Sequence, residues 1–121
     1  MIGVGTDLVE LDRFRLALDR TPGLADRLFS EAERAYAARR RDPTERLAAR
    51  FAAKEAVLKA MGVGLWRCPL RDIEVVRAPS GAPSVRLHGK AAALAAELGV
   101  SQWRLTITHT ARVAQAIAVA L

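Results

Sequence analysis

The chain has 121 residues, the usual size of one domain, so we expect a single domain over residues 1–121. Hydrophobic residues make up 51% and aromatic residues 5%, which excludes a disordered chain and weakens any interface that stacks nucleic-acid bases. The formal charge of +6, carried by sixteen Arg and three Lys, predicts an acidic partner such as nucleic acid, a phosphorylated cofactor or an acidic protein.

Three features of the sequence predict a cytoplasmic location. No apolar stretch approaches the roughly 20 residues that cross a bilayer, so no membrane partner is expected. No basic N-terminal segment leads into an apolar run. The single Cys68 cannot form an internal disulfide, which fits a reducing compartment.

The first nine residues alternate in the manner of a strand. Ile2, Val4, Thr6 and Leu8 share one face, while Asp7 lies with two glycines on the other. We expect that second face to have room for another group, although a turn approach explains the pattern equally well. A helix from Glu10 to Arg20 follows and ends at Thr21-Pro22-Gly23.

Two more helices are expected in the first half. Ser30 and Glu33 have the spacing of a capping box, which predicts a helix from Glu31 to Arg40. A second helix is predicted from Pro43 to Met61, with Gly62 and Gly64 ending it.

The helix from Pro43 to Met61 has two apolar faces with charge between them. On a helical wheel, Glu55 and Lys59 fall in a narrow sector between a large apolar stripe and an alanine face. That position favours a functional pair, although a plain surface pair worth about 0.2–0.5 kcal/mol has the same spacing. The opposite edge carries a basic strip, which we interpret as a solvated rim: Arg46, Arg50 and Lys54.

The second half predicts strands around one helix. Strands are expected at Asp72 to Arg77 and Ser84 to Leu87, followed by a helix from Gly89 to Leu98. A later strand from Gln102 has His109 at the end of an apolar row. The last strand, from Val113, is apolar on both faces, which predicts a subunit contact on one of them. The order of elements indicates an α+β fold, an antiparallel sheet covered by helices.

The charged positions suggest a metal and phosphate site. Asp7 and Glu55 supply two carboxylates, and oxygen ligands of this kind suit Mg²⁺. Lys59 lies one turn from Glu55 and would neutralise phosphate oxygens, and the glycines after the helix would let the backbone approach a pyrophosphate. His109 alone is more often a core residue than a catalytic one. Zinc and serine-hydrolase sites are unsupported, because neither ligand spacing nor a GxSxG motif is present.

Segments with these residues resemble a known family. The chain is similar to the holo-acyl-carrier-protein synthases, the small 4′-phosphopantetheinyl transferases, in order over essentially its whole length. The matching segments are GVGTDLVE at 3–10, RFAAKEA at 50–56 with Lys59, Ala60 and Gly62, DIEV at 72–75, and TITHT at 106–110.

The resemblance implies an activity. The enzyme would transfer 4′-phosphopantetheine from coenzyme A to a serine of an acyl carrier protein in fatty acid biosynthesis, and would release adenosine 3′,5′-bisphosphate. Asp7 and Glu55 would be Mg²⁺ ligands and Lys59 would neutralise the phosphate during bond breaking. Either Glu55 or a water held by the metal would remove the serine proton.

The resemblance also implies binding residues and an assembly. Arg50 and His109 match positions that contact the phosphates of coenzyme A, and Gly62 and Gly64 belong to the same cofactor site. Arg13 matches a position that meets the acidic recognition helix of the carrier protein. The family forms homotrimers with active sites at subunit boundaries, which agrees with the last strand being apolar on both faces.

Two other functions are weighed against the transferase. A small nucleic-acid-binding protein would use the Arg39-Arg40-Arg41 run, but the interspersed acidic residues and the absence of a known module argue against it, so no nucleic-acid partner is expected. An inactive family member acting as a structural subunit is disfavoured, because the predicted ligands and Lys59 are retained.

Overall fold

A long central helix packs across a three-stranded sheet in the computed structural model, which describes all residues 1–121. The strands are β1 (Gly3–Glu10), β2 (Ile73–Arg77), β3 (Pro83–Leu87), β4 (Trp103–His109) and β5 (Val113–Ala120). The helices are α1 (Leu11–Arg20), α2 (Leu24–Leu28), α3 (Glu31–Ala37), α4 (Thr44–Ala60) and α5 (Gly89–Glu97). Two short 3₁₀ turns, Leu65–Arg67 and Leu70–Asp72, connect α4 to β2.

The strands form two antiparallel sheets. The larger has the order β1-β5-β4, with Asp7 opposite Ala116 and Ile107 on the other side of the same residue. The smaller is the β2–β3 hairpin, with Val75 opposite Val85. The predicted α+β class with antiparallel strands is therefore confirmed, but the strands divide into two sheets where one was expected.

Helix α4 lies directly on the backbone of β1. A Cβ atom placed on Gly3 would be 1.9 Å from the carbonyl oxygen of Ala60, and one on Gly5 would be 2.0 Å from that of Ala56. On β5 the facing residues are alanines, all buried at 0–1% exposure: Ala114, Ala116, Ala118 and Ala120. We predicted that this face of β1 has room for another group. The prediction is wrong at the glycines, because α4 fills that space.

The ends of the helices follow local sequence signals. Ser30 Oγ accepts from the backbone N–H of Glu33, whose carboxylate accepts from the N–H of Ser30, which confirms the capping box. Gly62 has a φ of 72° and its N–H bonds to the carbonyl of Lys59, while the N–H of Val63 bonds to that of Leu58. This Schellman arrangement ends α4 at Gly62, and Gly64 has no part in it.

Two helical predictions need correction. The helix predicted from Glu31 to Arg40 ends at Ala37, since Arg39 and Arg40 make only turn hydrogen bonds. The five-residue α2 was not predicted; it begins at Leu24, directly after Gly23, whose φ of 84° is easily adopted only by glycine.

The basic strip of α4 is not a solvated rim. Lys54 is 0% exposed and Arg50 is 7% exposed. Lys54 donates to Glu33 Oε1 at 2.7 Å, to the carbonyl of Leu70 at 2.9 Å and to that of Ile73 at 2.6 Å. Lys54 therefore has a buried ammonium whose three N–H donors all have acceptors. The prediction that it lies on a solvated rim is wrong.

The sheet face opposite α4 is open to solvent. Val4 and Leu8 of β1 are 57% and 60% exposed, and Ile117 of β5 is 39% exposed. Ile117 lies opposite Thr6, the position between Val4 and Leu8 on this face of β1. No helix is long and apolar enough to cross a membrane, the longest having 17 residues.

Candidate active site

A groove of about 740 Å³ runs between the end of β1, helix α1 and the middle of α4. Four predicted site residues line it: Asp7, Glu55, Lys59 and, at its edge, Arg13. Its remaining walls come from α1, α2 and the turns after α4, and ten of its sixteen lining residues are hydrophobic. The groove therefore combines one charged end with a long apolar surface.

Asp7 and Lys59 meet where β1 crosses the last turns of α4. Lys59 Nζ donates to Asp7 Oδ1 at 3.1 Å and to the backbone oxygen of Thr6 at 3.0 Å. The side chain of Asp7 is 16% exposed and that of Lys59 is 52% exposed. The carboxylate is thus held in place while the ammonium remains accessible from the groove.

Glu55 is half-buried one turn before Lys59. Burial raises the pKa of the Glu55 carboxyl, the negative charge of Asp7 raises it further, and the positive charge of Lys59 opposes both. The carboxylates of Asp7 and Glu55 therefore lie close enough for electrostatic repulsion between them. A positive ion placed there would relieve that repulsion.

The charged end of the groove fits a hard divalent cation. Its donor atoms are carboxylate oxygens of Asp7 and Glu55, and Mg²⁺ characteristically takes one or two carboxylates together with water and substrate phosphates. No group of three or more His, Cys, Asp or Glu residues forms a complete metal cage. A metal held here would therefore need oxygen ligands from a bound substrate.

The apolar part of the groove contains residues that were not predicted to belong to the site. They come from α1, α2, α4 and the connecting turns: Phe14, Ala17, Leu24, Leu28, Phe51, Leu65, Pro69 and Leu70. The i, i+3 spacing of Phe14 and Ala17 was a usable signal for α1. The contribution of α2 had no such signal, because the helix itself was not predicted.

Arg13 lies at the edge of this groove on α1. Its side chain is 82% exposed, and its Nη1 lies 3.7 Å from Glu10 Oε1. An exposed guanidinium beside an apolar channel is suited to an acidic macromolecule with some apolar side chains.

Arg50 and His109 lie elsewhere, in a second cavity of about 320 Å³. Arg50 stacks its guanidinium 4.3 Å from the centre of the Tyr36 ring, and its buried Nε has no hydrogen-bond partner. His109 Nδ1 is 3.6 Å from Glu45 Oε1. Burial lowers the pKa of Arg50, which Tyr36 and Glu33 partly counteract.

The predicted cofactor residues are therefore divided within one chain. Lys59 lines the first groove, Arg50 and His109 line the second cavity, and Gly62 and Gly64 line neither. The second cavity is rich in arginines that form no ion pair with a carboxylate: Arg40, Arg46, Arg50 and Arg77. An unpaired arginine group of this kind favours an anionic ligand.

Comparisons with known proteins agree over almost the whole chain. The model of the 4′-phosphopantetheinyl transferase superfamily matches residues 3–118. A holo-[acyl-carrier-protein] synthase of Streptomyces avermitilis is 52% identical over 122 residues, covering 99% of this chain and 97% of the relative.

Solved structures agree with the fold. The crystal structure of holo-[acyl-carrier-protein] synthase from Neisseria meningitidis has a TM-score of 0.91 at 28% identity, covering 100% of this chain and 98% of that chain. That of the Helicobacter pylori enzyme in complex with coenzyme A has a TM-score of 0.86 at 26% identity, covering 98% and 99%. The chain therefore belongs to the holo-[acyl-carrier-protein] synthase family of 4′-phosphopantetheinyl transferases, and it is an enzyme.

Proposed function

We propose that this enzyme transfers the 4′-phosphopantetheine group from coenzyme A to a serine of apo acyl carrier protein, with Mg²⁺ as cofactor, and that it serves fatty acid biosynthesis. The single observation that carries the proposal is the convergence of Asp7, Glu55 and Lys59 at one end of the groove. The structure of a relative in complex with coenzyme A supports the choice of donor. The cytoplasmic location stays a prediction.

The reaction is a phosphoryl transfer that needs positioning and charge neutralisation. The serine oxygen forms a bond to the phosphorus that bears the pantetheine group, and the bond from that phosphorus to the bridging pyrophosphate oxygen breaks. Adenosine 3′,5′-bisphosphate leaves with the electron pair of that bond. The serine proton goes to a base in the groove, for which Glu55 and a water are the candidates.

Each residue of the charged end has a role in that step. Asp7 and Glu55 would hold the Mg²⁺, which supplies charge stabilisation to the pyrophosphate when bound. Lys59 is accessible from the groove and would neutralise a phosphate oxygen as the bridging bond lengthens. The backbone oxygen of Thr6 fixes the direction of the Lys59 side chain.

The carrier protein would occupy the apolar channel and its edge. Arg13 offers an exposed positive charge, and Phe14, Leu24 and Leu28 offer apolar contacts beside it. The net charge of +6 favours encounter with an acidic partner.

The division of the cofactor residues supports a site shared between subunits of a homotrimer. The open sheet face carries the exposed side chains of Val4, Leu8 and Ile117 at neighbouring positions of β1 and β5. A second copy of the chain would cover this face. Neighbouring copies would then place Arg50 and His109 of one subunit near Asp7 and Glu55 of another. In that arrangement the second cavity would hold the outer phosphates of coenzyme A, and Gly62 and Gly64 would border the cofactor.

The deciding experiment weighs the carrier protein after reaction. Purified enzyme is incubated with apo acyl carrier protein, coenzyme A and Mg²⁺, and intact-mass spectrometry follows the carrier. We expect one phosphopantetheinyl group per carrier, abolished by a chelator and by replacing the acceptor serine with alanine. An unchanged carrier mass at every Mg²⁺ concentration would sink the transferase proposal.

A further inference from the structure

The buried Lys54 contacts one end of a wall of the groove and the strand that follows it. It is next to Glu55 in sequence, yet its side chain points the other way, into the protein. Its ammonium donates to the backbone oxygens of Leu70 and Ile73, which bracket the second 3₁₀ turn. Leu70 lines the groove together with Leu65, Cys68 and Pro69 from the same segment.

Glu33 fixes the ammonium from the opposite side. Its Oε1 accepts from Lys54 Nζ at 2.7 Å and from the backbone N–H of Ser30, and its Oε2 accepts from the N–H of Val75. Both side chains are at most 1% exposed. Every donor of Lys54 and both oxygens of Glu33 are therefore used, and the pair has one satisfied arrangement.

The segment from Gly64 to Asp72 has few backbone hydrogen bonds of its own, and its other restraints are the buried side chains of Cys68 and Leu70 and the bond from the N–H of His88 to the carbonyl of Asp72. Its short-range backbone hydrogen bonds are those of two single turns, Arg67 to Gly64 and Asp72 to Pro69. It contains no α-helix or strand, and Leu65, Trp66 and Arg67 are exposed. A short irregular segment of this kind moves readily unless a side chain from the core holds it.

We propose that Lys54 is a positioning residue for the transfer reaction, because its ammonium ties the Leu65–Leu70 wall of the groove to the helix that carries Glu55. The floor of the groove, formed by Phe51, Glu55 and Lys59, and this wall then move as one unit. The proposal rests on the proposed function for its kinetic part, since the wall acts on the carrier protein that would lie in the channel. Its structural part stands without that function.

The test uses a double variant that removes both charges, Glu33→Gln with Lys54→Met. A single change that leaves one buried charge unpaired is strongly destabilising, whereas removal of both avoids that penalty. Lys54→Arg is the second variant if the double variant does not fold, because it keeps a positive charge beside Glu33 while its planar guanidinium directs its donors differently toward Leu70 and Ile73. Asp26→Asn, which breaks an exposed ion pair with Arg34, is the control.

Two measurements are made on the full-length protein. Hydrogen exchange is expected to accelerate about tenfold at the amides of Arg67, Asp72 and Ile73 relative to those of β5. Steady-state kinetics are expected to show a carrier-protein KM about tenfold higher, with kcat changed less than about threefold. The control should change neither.

The outcomes separate the two proposals. Equal acceleration of exchange in all elements, or none at the three amides, overturns the tether whatever the activity. Local acceleration with an unchanged KM overturns the positioning role. A wild-type protein that transfers nothing overturns the proposed function, while the exchange measurement still decides whether Lys54 holds the wall.

Discussion

Lys59 Nζ and Asp7 Oδ1 lie 3.1 Å apart, although 52 positions separate the two residues along the chain. The contact joins a strand to a helix at the charged end of the groove. Two residues that were predicted separately, one beside glycines and one on a helix edge, thus form one unit with Glu55.

Loss of either predicted metal ligand should abolish activity without unfolding the protein. We expect Asp7→Ala and Glu55→Gln each to lower kcat by at least about 10²–10³-fold, because each removes a charge from the reacting centre. Thermal unfolding followed by circular dichroism should remain cooperative in both. Asp12→Asn, an exposed carboxylate on α1, is the matched control and should stay active. Unfolding of both variants would return Asp7 and Glu55 to a structural role.

Gly5→Ala should separate α4 from β1. The added methyl group would meet the carbonyl oxygen of Ala56 at 2.0 Å, and backbone cannot yield cheaply. We expect a loss of about 1–3 kcal/mol in the free energy of unfolding. Urea titration measures it. Gly64→Ala is the matched control, because Gly64 has a φ of −91° and a Cβ atom added there would lie 3.7 Å from its nearest neighbour, Trp66 Nε1. Equal stability losses in both variants would contradict the close-packing argument.

Glu74 should stabilise the fold at neutral pH and lose that effect in acid. Burial works against ionisation of Glu74, but hydrogen bonds from His88 and Ser30 and the positive charges of His88 and Arg86 hold its pKa below the ordinary 4.5. Because the folded-state pKa is the lower one, the contribution is full above pH 4.5 and is lost as pH falls through the folded value.

The measurement is the free energy of unfolding against pH for Glu74→Gln. Lys54 on α4 also interacts electrostatically with Glu74. We expect a loss of about 1 kcal/mol at pH 7 and a shallower decline than in the wild type as the pH falls below 4.5. Glu97→Gln, exposed on α5, is the control. A wild-type slope in Glu74→Gln would show that the His88 and Ser30 contacts do not affect stability.

A shared active site predicts complementation between inactive variants. Glu55→Gln and His109→Ala are each expected to be impaired, and subunits mixed after dissociation should recover activity. Up to about one site in four would combine an intact Glu55 from one subunit with an intact His109 from another. Sedimentation of the mixture checks the assembly. No recovery in a mixture that has exchanged subunits would place both residues in one chain's site, contrary to the proposal.

Local signals predicted most of the elements correctly. The capping box at Ser30 and Glu33 and the glycine after Met61 depend on neighbouring residues alone, so the helix ends near them were readable from the sequence. Helix α2 has only five residues, too few for a periodic pattern.

Long-range relationships could not be predicted in the same way. Lys54 is buried because Glu33 lies 21 positions away and accepts its charge, and a helical wheel contains no information about that partner. The division of the strands into two sheets likewise depends on pairing between distant segments, such as Gly5 with Ala118. The pairing of Asp7 with Glu55 was predicted from the chemistry of two carboxylates near a lysine and glycines, and the family resemblance added their role as metal ligands, whereas strand periodicity alone left the position of Asp7 open.

The close approach of α4 to β1 gives the composition of the chain a geometric meaning. Glycines on the strand and alanines on the helix are the reason why the carboxylate of Asp7 reaches the side chain of Lys59. Bulkier residues at these buried positions would hold the two elements apart and widen the charged end of the groove beyond the reach of a single small ion. The scarcity of large side chains where α4 crosses β1 thus sets the distance between the carboxylate and the ammonium, and residues that do not line the groove determine the shape of its charged end.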